Sequence, residues 1–215
     1  MTFLQFQLLS RGLLLSVAIF MLTLLLAFPG GLLVALCRMS RNIVLRNLAR
    51  IYISVLRGTP LMLQLLVVYF GPYYLFGLSL AGYPAFLAVI IAFGLNYSAY
   101  FSEIYRAGIQ SIPAGQYEAA AVLGYSKIQT FFKIILPQVI KRILPPITNE
   151  VITLVKDTSL AQVLAVREMF TLAKQISNAQ ASLTALAVAG LFYYIFNFIV
   201  AMFMERMERR LSYYR

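Results

Sequence analysis

Three long stretches of this chain carry no charged side chain, and they limit what it can fold into. Gly12 to Cys37 is 26 residues, Gly58 to Ser102 is 45 and Gln175 to Met204 is 30. A helix needs about 20 predominantly apolar residues to cross a bilayer. The first and last runs each accommodate one span, and the middle run accommodates two with a turn between them. With 61% hydrophobic and 12% charged residues, the chain is too apolar for a water-soluble domain and reads as an all-α integral membrane protein. The first run is too long for a cleaved signal peptide and lacks a clear small-residue cleavage site, so it reads as a retained span.

The net charge of +11 is distributed in a way that argues topology rather than nucleic-acid binding. Arg38, Arg41, Arg46 and Arg50 share one inter-span segment. Arg106, Lys127, Lys133, Lys141 and Arg142 share a second, and Arg206, Arg209, Arg210 and Arg215 form the tail. Segments rich in Lys and Arg stay on the inner side of a membrane. All three are therefore expected inside, and no nucleic-acid partner is expected. Cys37, the one cysteine, has no partner for an intrachain disulfide and reads as a packed small hydrophobe.

Five transmembrane helices follow, with the N-terminus out and the C-terminus in. The expected spans are Arg11 to Cys37, Leu48 to Phe70, Pro84 to Glu103, Ile143 to Val166 and Ser182 to Met204. Pro29-Gly30-Gly31 in the first span predicts a kink or a close helix crossing. Gly71-Pro72 and Gly82-Tyr83-Pro84 are expected to bracket a short external segment whose Tyr and Phe suit an interfacial belt. The fourth span is the least apolar, because it contains Glu150, Lys156 and Asp157. Residues 167 to 181 are expected outside, with Glu168 as an exposed loop acid. The chain reads as one transmembrane domain over 1–215, without an internal repeat. Secondary transporters are commonly built from repeated halves, so five spans suggest a unit that pairs with an identical or similar subunit.

Between the third and fourth spans lies an inner loop, about 105–142. Pro113 and Gly115 mark a break, after which Gln116 to Leu123 has strong helix formers at nearly every position. Gly124 suits the left-handed residue just past a helix end. Ser126 and Gln129 form a Ser-x-x-Gln capping box for a second helix, expected to run to about Pro137, which bends or ends it. The loop therefore reads as helix, hinge, helix. Ala119, Ala120 and Ala121 would let this knob enter a groove, and Glu118 is expected near its helix N-terminus, where the dipole favours an acid.

The run Glu118-Ala119-Ala120-Ala121-Val122-Leu123-Gly124, closed by Ile135-Leu136-Pro137, resembles the EAA loop of ABC-transporter permeases. Arg57-Gly58-Thr59-Pro60-Leu61, Ala107-Gly108-Ile109-Gln110-Ser111-Ile112-Pro113 and Lys156-Asp157-Thr158-Ser159-Leu160 are similar to segments of the polar-amino-acid branch of ABC importer permeases, in the expected order. The resemblance implies a type I importer in a bacterial inner membrane. Its parts would be two permease subunits, forming a homodimer or heterodimer, a cytoplasmic ABC ATPase dimer that binds ATP and Mg, and an extracytoplasmic amino-acid-binding protein. It also implies that Glu118, Ala119, Ala120 and Gly124 belong to a coupling helix that docks on the ATPase.

Charged side chains at membrane depth cost about 2.5–3.5 kcal/mol each, so their presence suggests function. Arg57 could hold a substrate carboxylate in a bidentate fork. The neighbouring Thr59, Asn96, Tyr97 and Ser98 could add hydrogen bonds, as could Thr158 and Ser159, with Asp157 suited to an α-ammonium group. The bland alternative keeps Arg57 snorkelling to the inner face and Lys156-Asp157 as a structural pair. Pro60 must also leave the carbonyl four residues before it without its helical partner, which requires a donor from a cavity or a neighbouring helix.

Several function classes are excluded. The chain has no His, which removes Ser-His catalysis and His-Glu-x-x-His zinc sites. It has no Gly-x-x-x-x-Gly-Lys-Ser/Thr phosphate loop, so it carries no ATPase of that type and no cofactor of its own is expected. The expectation is ATP-driven uptake of a polar amino acid, with an ATP-independent channel or secondary-carrier half-unit as the alternative.

Overall fold

The computed structural model describes residues 3–79 and 83–211, and every regular element among them is helical. Gly82 and Arg215, named above, lie outside the described residues. α1 (Phe3–Met39) runs unbroken through Pro29. α2 (Ile43–Gly58) and α3 (Leu61–Phe76) follow, then α4 (Ala85–Gln110) and the short α5 (Ala114–Val122). One turn, α6 (Lys127–Thr130), leads through a π-helical turn (Phe131–Ile135) into α7 (Leu136–Asp157) and a 3₁₀ segment (Thr158–Leu164). α8 (Met169–Gln180) and α9 (Thr184–Leu211) complete the described chain. By length and apolarity α1, α4 and α9 each suit a membrane crossing, and α2 with α3 makes a fourth candidate, bent by 112°.

That bend corrects the expected second span. Pro60 lacks an N–H, and its ring forces the preceding residue out of the helical region; Thr59 is extended, at φ −120° and ψ 148°. The helix therefore breaks at Thr59-Pro60 instead of running from Leu48 to Phe70. At its far end α3 continues through Gly71-Pro72, expected from the sequence to lie outside it, and stops at Gly77, whose φ of +66° is left-handed.

α4 is the centre of the fold. Phe93, Tyr97, Phe101 and Tyr105, each four residues from the next, stack along it with ring centroids 6.2–6.3 Å apart. The first three are buried to 2% exposure or less. α1 lies alongside in the same direction, with Leu26 beside Gly94, Gly30 beside Ser98 and Gly31 beside Phe101. Small residues let the two backbones approach: a methyl group on Gly31 would lie 2.8 Å from the Cβ of Phe101. The Pro29-Gly30-Gly31 cluster thus makes a close crossing.

Two further expectations are corrected. Of the two outcomes expected at Pro137, a bend or an end, the end does not occur. Just before Pro137 the helix widens, and the N–H of Leu136 donates to the carbonyl of Phe131, five residues back; such a π-turn absorbs an irregularity without breaking the helix. The helix then runs on through Pro145 and Pro146 to Asp157. Glu168 is not an exposed loop acid but is fully buried. It caps α8 by accepting from the N–H groups of Phe170 and Thr171, both at 2.7 Å. It also accepts from the hydroxyls of Thr171 (2.8 Å), Tyr193 (2.9 Å) and Ser16 (3.3 Å), which ties α1, α8 and α9 together.

Candidate functional site

Two regions concentrate polar chemistry: the hairpin made by α5 and α6, and the junction where α2, α4 and α7 meet.

The hairpin follows its local sequence closely. α5 starts at Ala114, so Gly115 lies inside the helix and the break falls at Ser111 to Pro113. At the other end Gly124 has φ +78°. Its N–H donates to the Ala121 carbonyl, and the N–H of Tyr125 donates to that of Ala120, both at 3.0 Å. This pair of bonds is a Schellman motif, which satisfies the last carbonyls of a helix. The Ser126–Gln129 capping box forms in both directions.

Glu118 and Ala119 are exposed, whereas Ala120 is 1% exposed and faces inward. Glu118 sits in the second turn of α5, not the first, so the helix dipole favours it less than expected. The outer surface instead presents Val122, Leu123 and Ile128, each more than 70% exposed. The base of the hairpin is anchored by buried Ile112, Ile135 and Val139, and Gln138 on α7 donates to Gln116 on α5 at 3.3 Å. Arg142 reaches from α7 to donate to the Ser111 carbonyl.

At the helix junction, the carbonyl left unpaired by Pro60 is that of Leu56. It accepts from Nε2 of Gln64 at 2.8 Å and from Nδ2 of Asn96 at 3.0 Å. Gln64 also donates to Thr59 at its carbonyl (3.1 Å) and hydroxyl (2.9 Å), and accepts from Asn96 at 2.9 Å. Thr59 and Asn96 thus hold the break in shape. Ser98 is buried against Gly30 and donates to the Gly94 carbonyl at 2.6 Å. Thr158 is fully buried and donates to the Val155 carbonyl, while Ser159 donates to that of Lys156, both at 2.8 Å.

Arg57 and Asp157 each meet a different tyrosine of α4. The Arg57 guanidinium lies 5.0 Å over the ring of Tyr100. One turn away, Tyr97 donates its hydroxyl to Asp157 at 2.8 Å, and the two tyrosine rings are 6.3 Å apart. A cavity of about 500 Å³ opens beside Arg57 and Tyr100, lined also by Glu103, Arg106, Arg142 and Glu150, whereas Thr59, Asn96, Ser98, Asp157, Thr158 and Ser159 do not line it. Glu103 binds Arg106 at 2.6 Å and lies 3.8 Å from Arg38. Tyr100, Glu103 and Gln64 are absent from the set expected from sequence. The i, i+3, i+6 spacing of Tyr97, Tyr100 and Glu103 on one helix is the available signal. Among the described residues no group of His, Cys, Asp and Glu is placed to hold a metal.

The chain as a whole is similar to known proteins. Residues 27–213 match the family described as "Binding-protein-dependent transport system inner membrane component". The L-cystine transport system permease protein TcyB of Bacillus subtilis is 38% identical, covering 96% of this chain and 87% of that protein. The arginine transport system permease protein ArtQ of the same organism is 36% identical, covering 97% and 94%. Among solved structures, "Crystal structure of an amino acid ABC transporter with histidines" superposes with a TM-score of 0.86 at 32% identity, covering 98% and 99%. A structure of the MetNI methionine ABC transporter shares the fold, with a TM-score of 0.77 at 17% identity, covering 98% and 99%. The chain belongs to the binding-protein-dependent transport system inner membrane component family, the multi-pass permease subunits of ABC importers.

Proposed function

We propose that this permease carries a polar amino acid inward by alternating access, driven by ATP hydrolysis on a separate subunit. Relatives that align over nearly its whole length include permeases for cystine, arginine and glutamine, which supports an amino acid as cargo. Five crossings, by α1, α3, α4, α7 with its 3₁₀ extension, and α9, would place the α5–α6 hairpin in the cytoplasm with the basic segments. A second permease, identical or similar, completes the pathway. An ATPase dimer binds ATP and Mg, and an extracytoplasmic binding protein delivers the cargo.

The observation that carries the coupling role is the exposed, doubly capped hairpin with Glu118 and Ala119 on its outer side. Ala120 supports it from within, and Gly124 sets its turn. For the cargo, Arg57 offers an exposed guanidinium for a carboxylate, and Asp157 and Ser159 offer oxygens for an ammonium group. Thr59 and Asn96 hold the helix break that presents Arg57, and Ser98 and Thr158 pack inside the bundle behind these groups. Glu118→Ala and Gly124→Val should each lower transport-coupled ATPase activity in proteoliposomes while leaving the affinity of the binding protein for its amino acid unchanged. Normal transport by both variants would overturn the coupling role. Flux through the purified chain without the ATPase would favour a channel or carrier instead.

A further inference from the structure

α2 has two unlike faces and a direction that none of the roles above explains. Val44, Leu48, Ile51 and Val55, spaced four, three and four residues apart, form one stripe and are 53–61% exposed. Arg46 and Arg50 lie on the opposite side, next to Ala49 and Ile53, which are buried in the bundle, while Asn47 and Ser54 flank the stripe. This division into apolar and cationic halves is the pattern of a helix lying in a membrane interface. The orientation agrees. α2 meets α3 at 112°, so with α3 along the bilayer normal α2 lies about 22° from the membrane plane. Its level agrees as well. Arg57 lies over Tyr100, and Arg38, just before α2, lies 3.8 Å from Glu103, where α4 first becomes charged.

We propose that α2 lies flat in the bilayer surface at the hairpin end of the bundle, with its apolar stripe among acyl chains. Arg41, Arg46 and Arg50 there bind the headgroups of anionic phospholipids. Among the described residues these three arginines have no carboxylate within ion-pair distance, so their charge is available. A second copy of a chain with net charge +11 supplies no matching anionic face, whereas an anionic leaflet does. Each arginine near such a surface contributes about 1 kcal/mol, roughly fivefold in lipid affinity.

The test uses the full-length chain in lipid nanodiscs. With Cys37→Ser as background, nitroxide labels at Leu48→Cys and Ile51→Cys are compared with labels at Arg46→Cys and Arg50→Cys, which lie on the other side of the helix. The first pair should be accessible to oxygen and shielded from a water-soluble nickel chelate, and the second pair the reverse. Labels at Leu48 and Ile51 shielded from both reagents would mean that protein covers the stripe, and nickel access there would place it in water; either overturns the proposal. In a second arm, native mass spectrometry compares retention of phosphatidylglycerol and phosphatidylcholine. The preference for phosphatidylglycerol should fall roughly fivefold for each of Arg41→Gln, Arg46→Gln and Arg50→Gln. An unchanged preference in the triple variant would overturn the headgroup assignment.

Discussion

Asn96 donates its side-chain Nδ2 to the carbonyl of Leu56 at 3.0 Å, and Leu56 is the residue whose helical bond Pro60 removes. A polar side chain of α4 thereby stabilises a break between α2 and α3. Asn96→Ala should remove this donor and the bond to Gln64 together. A buried polar group left without a partner costs about 1–3 kcal/mol. The thermal midpoint of the detergent-solubilised variant should fall accordingly, with or without amino acid present. An unchanged midpoint would show that Asn96 has no part in holding the break.

Left-handed backbone positions should respond with opposite signs. Gly124 has φ +78°, and nothing lies within 4 Å of where a Cβ would stand, so Gly124→Ala should cost about 1–2 kcal/mol from backbone conformation alone. Ala181 ends α8 at φ +47°, and Ala181→Gly should stabilise by about 0.5–1 kcal/mol after the flexibility of glycine in the unfolded chain is discounted. Thermal melts of the two variants, read side by side, check the sign of each.

The α4–α7 contact should be sensitive to a single methyl group. A Cβ on Gly108 would overlap the Cγ2 of Ile143, and overpacking of this kind costs about 1–3 kcal/mol. Gly108→Ala should lower the melting temperature, and Ile143→Ala in the same chain should recover part of the loss. Failure of the double variant to recover would place the clash elsewhere.

Glu168 should matter more than any other acid for stability. Glu168→Ala leaves the N–H groups of Phe170 and Thr171 and the hydroxyls of Thr171 and Tyr193 without this acceptor, whereas Ser16 keeps the Gly12 carbonyl. Loss of the cap alone costs about 0.5–2 kcal/mol. Tyr193→Phe removes one donor and keeps the cap, so its melting temperature should lie between the wild type and Glu168→Ala.

Local chemistry makes the hairpin legible in the sequence. A glycine past a helix end and a Ser-x-x-Gln box act within a few residues of chain, and Gly124, Ser126 and Gln129 adopt the expected roles. The unpaired carbonyl at Leu56 also follows from Pro60, although its donors, Gln64 and Asn96, do not. The burial of Glu168 is hidden from the sequence because Ser16 and Tyr193, which help enclose it, lie 152 and 25 positions away. Pro137 does not act as a helix end because a π-turn one step earlier accommodates it.

The sequence by itself determined that this chain is a helical membrane protein, since runs of 26, 45 and 30 uncharged residues cannot be hidden in water at this length. It also determined the caps of the α5–α6 hairpin, because those depend on neighbours in the chain. Tertiary structure alone decided which way the pieces turn and what faces inward. The 112° bend at Thr59-Pro60, the placement of Arg57 beside Tyr100 and of Asp157 beside Tyr97, and the burial of Glu168 all depend on contacts between distant segments. Hydropathy and helix periodicity describe one segment at a time and cannot specify such contacts.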